Sequence, residues 1–216
     1  MSILASSVFL VGAAVAAVLL GLLLLTMLFP RLRIWPTPGE GSWQSYVFWP
    51  LFRGLNVLCF AMALADRMPY LGLPVWLRVM AGLFLSVSLA LFIYSFRMLG
   101  RDNSYGAQDG LVTRGIYRWT RNPQNTMLLV VYGCLGLAAD SGPTFVLCGA
   151  MIGVYVLMVL LEEPWLEATY GAAYKRYCRR VPRFFNWRRV AIRVRALWRT
   201  PPRATAHQGP FKETAK

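Results

Sequence analysis

Two polar clusters interrupt an otherwise apolar chain, and both hold residue types suited to a small charged ligand. The first is DGLVTRGIYRWTRNPQN, from Asp109 to Asn125. Its arginines can meet a carboxylate. The second is EEPWLEATYGAAYKRYCRRVPRFF, from Glu162 to Phe185, which opens on adjacent carboxylates at the foot of an apolar run. Two readings of Glu162 and Glu163 stand side by side. They are interfacial charges that meet nearby arginines, or they hold a bound cation or amine where the dielectric is low. Arg118 and Arg121 are placed to face the same mouth.

The elements that position these clusters are apolar spans. Val8–Phe29 is uncharged and long enough for a hydrocarbon core of about 30 Å. Trp43–Ala65 carries Arg53 within it, and Val75–Leu99 has Arg78 and Arg97 near its ends, where long side chains reach an interface. Thr126–Leu161 is too long for one span and breaks at DSGP, Asp140 to Pro143, a tight-turn signal. It therefore reads as a helical hairpin with a short first arm. A hairpin brings its two ends together, so both polar clusters are expected at one mouth. The expected fold is all-α and integral to the membrane, with about five transmembrane helices, a C-terminal hairpin and a cytoplasmic amphipathic helix. Residues 1–99 form the N-terminal spans, 100–185 the core, and 186–216 a basic interfacial segment with a disordered tail.

Composition agrees with a membrane protein. The chain is 57% hydrophobic and only 15% charged, yet its net charge is +14. Arg31 and Arg33 follow the first span, five arginines sit in or beside the third loop, and 13 Lys and Arg follow the last span. The opposite side receives Arg67, Arg78, Asp66 and Asp140. The positive-inside rule then puts the N-terminus outside and the C-terminus and polar clusters in the cytoplasm. A bacterial inner membrane or an endoplasmic reticulum would serve. Arginines tied to span ends explain the basic excess without nucleic acid. The four cysteines are scattered, no CxxC occurs, and the single histidine is His207, so no metal site is expected.

After Glu163, Tyr170, Tyr174 and Tyr177 recur at i, i+4 and i+7, with Lys175, Arg176, Arg179 and Arg180 mostly around the other side. This pattern reads as a basic amphipathic helix whose tyrosines anchor in the headgroup layer or, on the alternative reading, form part of a catalytic set.

GLVTRGIYRWTRNPQ, then a hairpin, then EEPWLEATYGAAYKRYCRRVPRF resembles the membrane methyltransferases typified by isoprenylcysteine carboxyl methyltransferase, with phospholipid methyltransferases in the same group. The resemblance covers residues 100–185. It implies S-adenosyl-L-methionine as cofactor and a lipophilic acceptor that enters from the membrane. Carried over by motif, the cofactor contacts are Asp109, Gly110, Leu111, Val112, Tyr117, Asn122, Pro123, Gln124, Asn125 and Glu162, with Arg121 and Glu163 as catalytic candidates. A sulfonium and an α-ammonium group favour carboxylates and aromatic faces, which Glu162 and Tyr117 offer. Two departures from the family pattern bear on substrate. Asn122 stands where a histidine is usual and Asn125 where a tyrosine is, so an acid or base role there is lost. Met158 stands where prenylcysteine enzymes have a carboxylate-binding arginine. The expected acceptor is thus a phospholipid amine or an apolar thiol or hydroxyl, with poor activity on prenylated cysteine. The competing readings are a sterol-type membrane reductase with a nicotinamide cofactor, and a non-catalytic membrane protein that keeps the fold.

Overall fold

The computed structural model describes residues 2–39, 41–99 and 111–185. Asp109, Gly110, His207 and the basic segment after 185 lie outside the described residues. Among the described residues the bundle has five helices: α1 (Ile3–Leu28), α2 (Trp43–Ala65), α3 (Val75–Leu99), α4 (Pro123–Ala139) and α5 (Gly142–Arg180). A short 3-10 turn, Gly115–Arg118, precedes α4.

Local chemistry sets the ends. Ser2 and Ser42 cap α1 and α2, accepting from the Ala5 and Ser45 amides at 3.1 and 3.3 Å. The Ser2 cap explains why α1 starts five residues before the expected Val8. Pro123 opens α4 and Pro143 lies in the first turn of α5, where a missing N–H costs nothing. Between them Asp140 takes a left-handed conformation (φ 52°) and Ser141 caps α5, so the hairpin turn falls at the DSGP break.

Among the described residues, four helices are long and apolar enough to cross a membrane, and α4 is not among them. Its 17 residues reach only about 26 Å. Packing resolves the shortfall. α4 lies between α3 and α5 and also touches α2, and no residue from Pro123 to Ala139 is exposed. The two hairpin arms close tightly at Gly136, where an added Cβ would sit 2.8 Å from Phe145. α1 packs on α2 and α5, and outward side chains such as Leu10, Leu64 and Phe84 give the bundle an apolar exterior.

The end of the bundle that holds the α4–α5 turn is closed by a polar network. The Asp140 carboxylate accepts from the Leu71 and Leu73 amides, each at 2.9 Å, and its carbonyl accepts from Tyr70 at 2.8 Å. Ser141 donates to Asp66 at 2.7 Å. Arg78 does not reach outward to an interface as its position near a span end implies. It donates to the Ala138 and Ala139 carbonyls at 3.0 and 3.2 Å, satisfying the C-terminus of α4. Burial alone would raise the Asp140 carboxyl. The Leu71, Leu73 and Gly72 amides and the Arg78 charge outweigh it and hold the group below the usual carboxylate range.

α5 continues past Glu162 and Pro164 and breaks at Gly171, with φ 52° and ψ −126°. A side chain is disfavoured at that φ, so glycine permits the bend. The basic amphipathic piece after Gly171 is thus a second helix that follows the long part of α5 directly across this kink. Its tyrosines turn inward: Tyr174 and Tyr177 are buried with Val181 against Leu111 and Leu166, while Lys175, Arg176, Arg179 and Arg180 stay exposed. The expected headgroup anchors are core residues, because the bend at Gly171 folds that face back onto the bundle.

Candidate active site

Opposite the closed end, the start of α4 and the end of the long part of α5 meet, as a hairpin requires. The junction is stitched by hydrogen bonds. Thr120 Oγ1 and Asn122 Nδ2 donate to the Arg183 carbonyl at 3.0 and 3.2 Å, and the Arg121 amide donates to Pro182 at 2.9 Å. Tyr177 donates to the Tyr117 carbonyl at 2.7 Å, tying the 3-10 turn to the bent piece of α5. These bonds fix the backbone around a cavity of about 580 Å³. That volume lies within the usual range for small-molecule sites.

Every described residue expected to touch the cofactor lines this cavity: Leu111, Val112, Tyr117, Asn122, Pro123, Gln124, Asn125 and Glu162. Arg121 and Met158 line it too, and so do the inward tyrosines Tyr170, Tyr174 and Tyr177. Arg118 is exposed and is not part of the wall. Glu163 points elsewhere. It accepts from Arg121 at 2.7 Å and from Arg183 at 2.9 and 2.6 Å, and it borders a separate cleft. The Arg183 guanidinium is held above its ordinary value chiefly by the bond to Glu163. Glu163 meets two arginines, as the first reading of the acidic pair has it, and Glu162 faces the cavity.

Three buried polar atoms on the cavity wall have no hydrogen-bond partner: Trp35 Nε1, Tyr117 Oη and Arg121 Nε. Trp35 Nε1 lies beside the Glu162 carboxylate without completing a bond of good geometry, so the three atoms and that carboxylate leave one wall with spare bonding capacity. Burial raises the Tyr117 phenol above its usual range, and the neighbouring Gln124 offsets this only partly. By distance and angle that neighbour makes no formed bond to Tyr117 Oη.

The N-terminal helices contribute more than the sequence shows. Trp35, in the α1–α2 loop, is held by Phe48 and Trp49, with ring centroids 4.8 and 5.9 Å away. From α2 come Phe52, Arg53, Asn56 and Phe60, and from α3 come Leu89, Phe92 and Phe96. Deeper in the wall, Asn56 accepts from Tyr132 and, at 3.4 Å, from Tyr155, while its amide donates to Phe52 at 2.6 Å. The readable signal was a polar Arg53 and Asn56 three residues apart in an apolar span. The cavity is therefore polar at the hairpin mouth and mostly apolar along α2 and α3.

A family model described as phospholipid methyltransferase matches residues 68–173, which run from before α3 to just past the Gly171 bend. No curated protein and no solved structure matches the chain. The matched segment contains α3, α4 and the long part of α5, and with them the Asn122–Asn125 and Glu162 walls of the cavity. Residues 68–173 thus match the phospholipid methyltransferase family, the group that the polar motifs resemble, and four helices among the described residues are long and apolar enough to cross a membrane.

Proposed function

We propose that the chain transfers a methyl group from S-adenosyl-L-methionine to a lipophilic acceptor within this cavity. The three orphaned donors that share a wall with Glu162 carry the reading. Their chemistry fits the cofactor: Glu162 and the faces of Tyr117 and Trp35 suit its cationic groups, and the Asn122–Asn125 segment suits its ribose and base. Arg121 Nε is left to bind the cofactor's carboxylate, and Glu163 acts by holding Arg121 in place.

The bound cofactor supplies an activated methyl group, so the protein's work is alignment and exclusion of water. The junction bonds from Thr120, Asn122 and Arg121 to residues 182 and 183 keep the polar wall in place. The apolar wall admits the acceptor's hydrocarbon. An amine acceptor must give up a proton first. Asn122 cannot take it, and Glu163 is already bound by two guanidinium groups, which leaves Glu162, a tyrosine or water.

The arginine distribution supports a cytoplasmic cavity and an outside N-terminus. This orientation is testable at exposed positions. Arg67→Cys is expected to react with an impermeant reagent added outside intact cells, and Thr113→Cys only after permeabilisation. The activity is tested by incubating membranes that contain the full chain with isotope-labelled methyl donor and extracting the lipids. Label in a lipid fraction, absent when Glu162→Gln replaces the wild type, is the expected result. Equal label in both would refute the site.

A further inference from the structure

Arg53 is a cavity-wall cation that the cofactor reading leaves unused. It lies ten residues into α2, about 15 Å along the helix and well inside the apolar span. Its guanidinium sits over the Trp49 ring, 5.3 Å from the centroid, and no carboxylate among the described residues pairs with it. A cation at that depth is costly unless it meets water or an anion, and a Trp face orients it without neutralising it. The wall beside it is apolar, built by Val57 and Phe60 of α2 and Leu89 and Phe92 of α3. α2 packs mainly on α1 and α3 on α4, so the cavity occupies the gap between α2 and α3.

A lone guanidinium in an apolar gap is complementary to an amphiphile with an oxyanion at its polar end. The other described arginine of the wall, Arg121, is already paired with Glu163, and Met158 offers only dispersion contacts. We infer that Arg53 binds the oxyanion of the acceptor, a phosphate ester or a carboxylate, while the acceptor's hydrocarbon lies between α2 and α3. The inference rests on the methyltransferase reading for what becomes of the bound lipid. Arg53 precedes residues 68–173, so this determinant comes from outside the matched family core.

The test is equilibrium binding to the purified full-length chain in neutral detergent. The probes are a short-chain phosphatidic acid, a farnesylated cysteine with a free carboxylate, and a diacylglycerol as the neutral control. Arg53→Met is expected to weaken an anionic probe by about ten- to a hundredfold while leaving the diacylglycerol within about twofold. Arg53→Lys is expected to keep most of the affinity. Loss confined to phosphatidic acid identifies a phosphate-bearing acceptor, and loss confined to the farnesylcysteine identifies a carboxylate. Unchanged binding of both anions, or equal loss of all three probes, overturns the inference. S-adenosyl-L-methionine binding is measured on the same samples. Its retention in Arg53→Met shows an intact fold, and its absence in the wild type would sink the methyltransferase reading while leaving the lipid comparison to stand.

Discussion

The two ends of the bundle hold similar polar inventories and treat them in opposite ways. At the hairpin turn, Asp66, Arg78, Asp140 and Ser141 satisfy one another and the neighbouring backbone. At the other end, Trp35, Tyr117 and Arg121 each leave a buried atom unbonded beside a large cavity. A closed network gives rigidity, whereas an incomplete one is destabilising until a ligand completes it. The comparison separates polar residues that hold the fold from those that serve it, without reference to residue type. An aspartate is tied into the network at one end, and a glutamate faces the cavity at the other.

The largest expected effect breaks the open end. Glu162→Gln keeps shape and removes charge, and is expected to cost about 2–5 kcal/mol of cofactor affinity, with the melting temperature little changed. Glu163→Gln should show the reverse balance, lowering the melting temperature with a smaller loss of affinity, because its partners are Arg121 and Arg183. Calorimetric titration and thermal unfolding of both variants check the pair. Equal affinity losses would erase the distinction drawn between the two carboxylates.

At the closed end, Asp140→Ala removes the acceptor for two backbone amides. It is expected to lower thermal stability clearly while the surviving folded protein binds cofactor as the wild type does. Acid acts on the same group. Its folded pKa lies below the ordinary 3.8, so its stabilisation is complete above that value and is lost as pH falls below it. Unfolding midpoints followed down through this range should drop more steeply in wild type than in Asp140→Asn. Parallel curves would show that the network does not depend on the charge. A smaller effect is expected for Ser141→Ala, which removes the α5 cap and should cost about 1 kcal/mol by denaturation.

Much of the frame was readable from residues alone, for physical reasons. The bounds of α2 and α3 follow from apolar runs that stop at Asp66 and start after Pro74, and the DSGP break marks the hairpin turn. Hydropathy did not reveal that no residue of α4 is exposed, since that depends on its neighbours and not on its own side chains. Arg78 looked interfacial because only tertiary packing brings it to the Ala138 and Ala139 carbonyls. The tyrosine spacing was plain, yet the backbone bend at Gly171 decides which surface that face meets. On the cavity wall, the Asn122–Asn125 and Glu162 segments carry a local motif. Trp35 and Asn56 carry none, because they converge only when α1 and α2 pack against the hairpin.

The central claim is that the orphaned donors await S-adenosyl-L-methionine. Titrating the purified full-length chain separately with S-adenosyl-L-methionine and with a reduced nicotinamide dinucleotide tests it most directly. The account predicts saturable binding of the first, displaced by S-adenosylhomocysteine and weakened in Glu162→Gln, and no binding of the second. Binding of the nicotinamide alone, or of neither, would contradict it.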